Sequence, residues 1–250
     1  AFLNRPNLLH QIDHKFKNQS DIQVIAIAGA GGAGKTTLSR QYARQQKASI
    51  IWEINAETQE DLNASFEKLA QNLAKNELDR KLLKNIQETK SYLEKEEKII
   101  QFVKERLKLN SGWFLIYDNV ETFISIQKYF PYTSATWGKG RILFTTRDGN
   151  IENNKHINYT IHVGELNPDQ KLDLFIKIMS DKNDQLFTYA HIEETKEFLK
   201  KIPPFPLDIS GAAYYLRSTK IPYEAYLKSL FQCNKNFIDL QENILKEVGE

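Results

Sequence analysis

Lys35, Thr36, Asp118 and Arg147 are the side chains whose types and surroundings point to chemistry. Lys35 and Thr36 close the stretch Gly29-Ala30-Gly31-Gly32-Ala33-Gly34-Lys35-Thr36-Thr37, in which glycine and alanine fill every position before the lysine. A loop with so little side-chain bulk curls until successive backbone N–H groups point inward, and a helix beginning at its end adds the positive pole of its dipole. Such a cradle suits phosphate. Gly31, Gly32, Ala33 and Gly34 offer backbone donors, Lys35 reaches the terminal phosphates, and the Thr36 hydroxyl, with Thr37 behind it, stands where Mg²⁺ is held. Asp118 ends the apolar run Trp113-Phe114-Leu115-Ile116-Tyr117 and is followed by Asn119. A carboxylate at the carboxyl end of a core strand sits beside ligands bound there and holds the same cation through its water shell. Arg147 follows Arg141-Ile142-Leu143-Phe144-Thr145-Thr146, and its fork of N–H groups suits a terminal phosphate. The competing reading is a surface arginine paired with Asp148.

For these groups to meet, the segments between them must form a parallel sheet. Ile22 to Ala28 is a β-branched apolar run of the kind buried on both faces of such a sheet. Leu38 to Arg44 has helix-forming composition, and Ala48 to Asn55 is a second strand. Strand, helix, strand implies a right-handed parallel crossover and a three-layer α/β core. Further strands are expected over 113–119, 140–146 and 157–163, with helix almost throughout from Thr58 to Leu109. At the start, Pro6 opens a helix over Asn7 to Lys17 with Leu8, Leu9, Ile12 and Phe16 on one face. His10 and His14 stand four apart on it with no third metal ligand nearby, so they read as surface histidines. From Pro168 the pattern is helical, over 168–179, 192–202, 207–217, 222–231 and 237–248. The expected architecture is a three-layer α/β phosphate-loop domain with a five-stranded parallel sheet over residues 1–165, followed by a small all-helical domain over 166–250.

Composition narrows the class. The chain has 250 residues, 41% hydrophobic and 26% charged, as in a soluble globular protein. Its 34 basic and 32 acidic residues leave a formal charge of +2, which offers no electrostatic argument for a nucleic-acid partner. The single cysteine, Cys233, excludes an internal disulfide and a multi-cysteine metal site, and it fits a reducing compartment such as the cytoplasm. No apolar stretch of about 18 residues is present to span a membrane as a helix. The chain starts at Ala1 without an initiator methionine, so it reads as a piece of a longer protein.

Among phosphate-loop proteins, a GTPase would carry N-K-x-D to read guanine, and Asn154-Lys155-His156-Ile157 and Asn234-Lys235-Asn236-Phe237 both lack the aspartate. A small-metabolite kinase would carry a lid rich in arginine, and none occurs between Arg147 and Arg217. The order Gly-Ala-Gly-Gly-Ala-Gly-Lys-Thr-Thr-Leu (29–38), Trp-Phe-Leu-Ile-Tyr-Asp-Asn-Val (113–120), Arg-Ile-Leu-Phe-Thr-Thr-Arg (141–147), Gly-Glu-Leu-Asn (164–167) and Pro-Phe-Pro-Leu (204–207) resembles the NB-ARC module of STAND ATPases. That class includes apoptosome scaffolds, plant disease-resistance proteins and bacterial relatives.

The resemblance implies roles. Lys35, Asp118 and Asn119 fall at the phosphate-loop and Walker B positions, and Arg147 resembles the sensor arginine that reads the γ-phosphate. Pro206, with Leu207, resembles the proline element that packs on the nucleotide from the helical domain. Arg5, with Phe2 and Leu3, resembles the segment lining the adenine pocket. Two positions depart from the pattern: Pro204 replaces a glycine, and Asn119 stands where an acid commonly follows the Walker B aspartate. An amide positions a water but cannot take its proton, so slow hydrolysis is expected. The resemblance further implies a switch that binds ADP or ATP with Mg²⁺ and works by self-association together with sensor or effector domains elsewhere in the protein. It would act in the cytoplasm, of its own cell or of a host, and the abundance of Lys, Asn and Ile points to a bacterial source. The alternatives are a turnover ATPase or phosphotransferase with its own substrate, and a DNA-binding initiator-type ATPase, which the near-neutral charge disfavours.

Overall fold

The computed structural model describes residues 3, 5–16, 21–180 and 189–232. Phe2, Cys233 and the helix expected over 237–248 lie outside the described residues. Two compact units divide the chain, one of residues 4–164 and one of residues 1–3 with 165–250.

The first unit runs α1 (Pro6–Lys15), β1 (Gln23–Ala28), α2 (Lys35–Ala43), β2 (Ile51–Asn55), α3 (Gln59–Leu73), α4 (Glu77–Gln87), α5 (Tyr92–Leu109), β3 (Trp113–Val120), α6 (Phe123–Ile126), α7 (Ser134–Trp137), β4 (Gly140–Thr146) and β5 (Tyr159–His162). All strand pairs are parallel, in the order β2-β3-β4-β1-β5. The α/β class with five parallel strands therefore holds.

The two faces of the sheet follow from strand parity. Val24, Ala26 and Ala28 of β1, Leu115 and Tyr117 of β3, and Ile142 and Phe144 of β4 join a core completed by Phe66, Leu69, Val103 and Leu107 of α3 and α5. On the other face α2 packs against β3 and β4, and α1 against β5. There Phe16, Tyr42 and Phe114 form a ring trio with centroids 5.9 to 6.1 Å apart. Asp118 and Thr145 share the parity of Phe114 and Leu143, so they belong to the α2 side. Side-chain caps start the helices of the long insert: Thr58, Asn76 and Ser91 each accept the N–H three residues on, which stops helix propagation backward and separates α3, α4 and α5. The short helices α6 and α7 leave no mark in the sequence, because a single turn has no periodicity to detect.

The second unit contains α8 (Pro168–Met179), α9 (Tyr189–Lys200), α10 (Pro206–Thr219) and further helix over 223–232. A capping box between Asn167 and Gln170, with Pro168 in the first turn, starts α8. Leu174, Phe175, Phe198, Leu199, Ile209 and Leu216 are buried together in its core. The buried Lys171 ammonium donates to the carbonyls of Leu199 and, at 2.8 Å, Ile202, satisfying acceptors at the end of α9. Burial lowers its pKa.

Candidate functional site

The carboxyl ends of β1, β3 and β4 meet at one edge of the sheet, and the glycine loop leaves from β1 there. Gly29 N–H donates to the Thr146 carbonyl at 3.3 Å, tying the loop's first residue to the end of β4. A Cβ at Gly29 would lie 2.5 Å from the Val163 carbonyl oxygen, so only glycine allows this approach. Gly34 is the N-cap of α2 with φ 90°, a left-handed conformation that turns the chain straight into the helix. No side chain caps α2. Its first-turn N–H groups therefore face the loop as a donor set with a positive dipole end, as an anion requires.

Lys35 opens α2 and is buried to 8% exposure. Its Nζ donates to the carbonyls of Gly29 at 2.8 Å and Ala30 at 2.9 Å, folding the side chain back over the loop. Burial lowers its pKa, the charge of Arg147 adds to that, and Asp118 opposes it. Thr36 Oγ1 donates to Asp118 Oδ1 at 2.7 Å. The same Oδ1 accepts the hydroxyl of fully buried Thr145 at 2.6 Å. A hydroxyl and a carboxylate so close present two hard oxygens of the kind that a small divalent cation prefers. Thr37 is exposed in the first turn of α2.

Asn119 departs from the strand. Its φ is 60°, and the pairing of β3 with β4 slips between Tyr117 and Val120, a β-bulge. Its N–H donates to Thr145 Oγ1 at 2.9 Å, so one hydroxyl fastens both the bulge and the Asp118 carboxylate. Asparagine tolerates the left-handed region better than most residues, which gives position 119 a backbone reason for its identity. Arg147 is exposed, and its Cζ lies 3.6 Å from where a Cβ of Gly31 would be, so the guanidinium stands over the loop. Among the described residues it makes no ion pair with Asp148.

Lys35, Glu57, Asn119, Glu121, Thr146 and Arg147 line a cleft of about 390 Å³ beside the loop. Thus Gly31, Gly32, Ala33, Gly34, Lys35, Thr36, Asp118, Asn119 and Arg147, separated by up to a hundred residues and more in sequence, come together within the first unit. Arg5 is buried in the same unit, where both terminal nitrogens lie 3.4 Å from the Gly164 carbonyl and burial lowers its pKa. Leu3 packs against the core of the helical unit, and Pro206 and exposed Leu207 begin α10 there. His10 and His14 are exposed, and the described residues hold no cluster of three or more His, Cys, Asp or Glu suited to a metal. Sequence reasoning missed Thr145 and Glu57. Thr145 was visible only as part of the Thr-Thr-Arg run, and its two-residue offset from Leu143 was the one signal that it faces Asp118.

The NB-ARC domain family model matches residues 5–185. A nucleotide-binding leucine-rich repeat (NLR)-like protein of Hyaloscypha variabilis is 24% identical over 84% of this chain and 21% of its own length. A probable disease resistance protein of Arabidopsis thaliana is 25% identical over 74% of this chain and 17% of its own length. The chain thus spans about a fifth of the length of these curated relatives. Among solved structures, one from work on katanin self-assembly shares the fold, with a TM-score of 0.52 and 13% identity over 87% of this chain and 71% of its own. A STAND protein with a tetratricopeptide repeat sensor from Pyrococcus horikoshii aligns with a TM-score of 0.49 and 19% identity over 80% of this chain and 28% of its own.

Proposed function

The chain belongs to the NB-ARC family of nucleotide-binding modules, and from that premise we propose that it is an adenine-nucleotide switch, holding ADP or ATP with Mg²⁺ in the cradle at the start of α2. The observation that carries this reading is the convergence of an uncapped helix N-terminus, the Lys35 ammonium, the Thr36–Asp118 oxygen pair at 2.7 Å and the Arg147 guanidinium around one loop. Backbone donors and Lys35 bind the phosphates, which takes Nζ off the Gly29 and Ala30 carbonyls. Thr36 and Asp118 would hold the cation, which would supply positive charge to offset that of the phosphates. Arg147 distinguishes a terminal γ-phosphate from its absence, and a switch needs such a difference in contact between its two ligands. Arg5, Phe2, Leu3, Pro206 and Leu207 take part as the family resemblance implies.

Position 119 carries an amide where an acid commonly stands, so hydrolysis is slow and the nucleotide works as a state marker. Self-association, with sensor or effector domains outside this chain, is the output proposed by kinship with the NLR-like and disease-resistance proteins. The cytoplasm, of its own cell or of a host, is the proposed setting. No helix among the described residues is long and apolar enough to cross a membrane. Titration calorimetry with ADP and ATP on Lys35→Ala tests the reading. Loss of about tenfold or more in affinity is expected from removing a charge-assisted phosphate contact, and affinities equal to the parent chain's would sink it.

A further inference from the structure

Resting on that reading, we propose that Glu57 is the carboxylate that takes the proton of the hydrolytic water, in place of the acid missing at position 119. Most groups of the cleft are excluded by their chemistry or by the bonds they already make. Asp118 Oδ1 is engaged by two hydroxyls at 2.7 and 2.6 Å, and its carboxylate belongs to the cation. Asn119 and Thr146 have no basic site, and Lys35 and Arg147 are cations. Two carboxylates remain in the lining of the cleft, Glu57 and Glu121. Both are exposed and neither forms an ion pair among the described residues, so each is free to face a ligand.

Their backbones differ. Strand β2 stays paired with β3 as far as Asn55 opposite Asp118, and the Ala56 N–H then donates to the Asp118 carbonyl at 2.8 Å. Asn55 Oδ1 accepts the Glu57 N–H at 3.2 Å, and Thr58 caps α3 immediately afterwards. Glu57 is thereby clamped between the last rung of the sheet and a capped helix, one residue from a hydrogen bond to the Walker B aspartate. Glu121 comes after the bulge, beyond the last paired residue of β3, Val120. A general base must hold its geometry through the reaction, and Glu57 has the frame for that.

In the step itself, water oxygen bonds to the γ-phosphorus and the bond from that phosphorus to the bridging oxygen breaks. ADP leaves with the bond's electron pair, and the water proton passes to Glu57 and from there to solvent. The amide of Asn119 orients the water, and Arg147 faces the charge that grows on the transferred phosphoryl group.

Single-turnover ATP hydrolysis with Mg²⁺ and calorimetric ATP affinity, measured on the parent chain, E57Q and E121Q, test the assignment. The expected result is a hydrolysis rate lower by about a hundredfold in E57Q, with ATP affinity within about twofold of the parent and more than about half the parent rate in E121Q. An unchanged rate in E57Q, a loss confined to E121Q, or a parent chain that binds ATP without turnover overturns this inference and leaves the switch reading standing. A parent chain that binds neither ADP nor ATP overturns both.

Discussion

At the scale of single residues, Thr145 does more than its position in a strand suggests. Its hydroxyl donates to Asp118 and accepts from Asn119 N–H, and it is fully buried. Thr145→Val keeps the shape and removes both bonds. An orphaned N–H and a less restrained carboxylate together cost about 1–3 kcal/mol. The proposed Mg²⁺-dependent part of ATP affinity should fall by about 10- to 100-fold, the usual effect of losing a group that orients a metal ligand. Calorimetry with and without Mg²⁺ separates this from a general loss of binding; an equal loss in both conditions would assign Thr145 to folding alone. Lys35, Thr36, Asp118 and Arg147 were legible because each stands in a local pattern whose chemistry is self-contained. Thr145 and Glu57 were not, since their part depends on which strands are neighbours and where a bulge shifts the register. Neither fact is written in a local run of residues.

At the scale of elements, the bulge in β3 sets the path of the chain after Asp118. A regular strand would alternate faces through residue 119, whereas φ of 60° at Asn119 breaks that alternation. Asn119→Gly should leave stability within about 1 kcal/mol, because glycine accepts the same conformation. Asn119→Val should lower it by about 1–3 kcal/mol, because a β-branched side chain is strained there. Urea unfolding of the two variants checks this, and equal midpoints would mean that the bulge relaxes. The core strands β1, β3 and β4 could be read in advance because burial on both faces writes a continuous apolar run. Edge strand β2 is only partly buried, and its regular pairing begins at Ile51, not Ala48.

At the scale of the whole molecule, burial of polar aromatic side chains ties stability to pH. The Tyr42 hydroxyl is pushed from 10.0 to about 12, by burial first and by the charge of Asp13 second. Burial also raises Tyr117 and Tyr129. A pKa raised by folding contributes stability that is complete below the unfolded value and fades as pH climbs through the folded one. The melting temperature should therefore drop between about pH 10 and 12, and Tyr42→Phe should drop less across that window. Parallel profiles would remove Tyr42 from the account. The fold class was legible at this scale because the alternation of apolar runs and helical periods survives over long distances. Strand order was not, since nothing local says that β1 lies between β4 and β5. That order bears on how the protein is made. The strand that launches the glycine loop has both its partners far downstream, the later of them ending at His162. As the chain leaves the ribosome, the loop emerges early and waits unframed until β5 has been synthesised, with a large closure entropy still to overcome. Nucleotide can steady the nascent protein only after that moment, so the ligand has no hold on the steps before it.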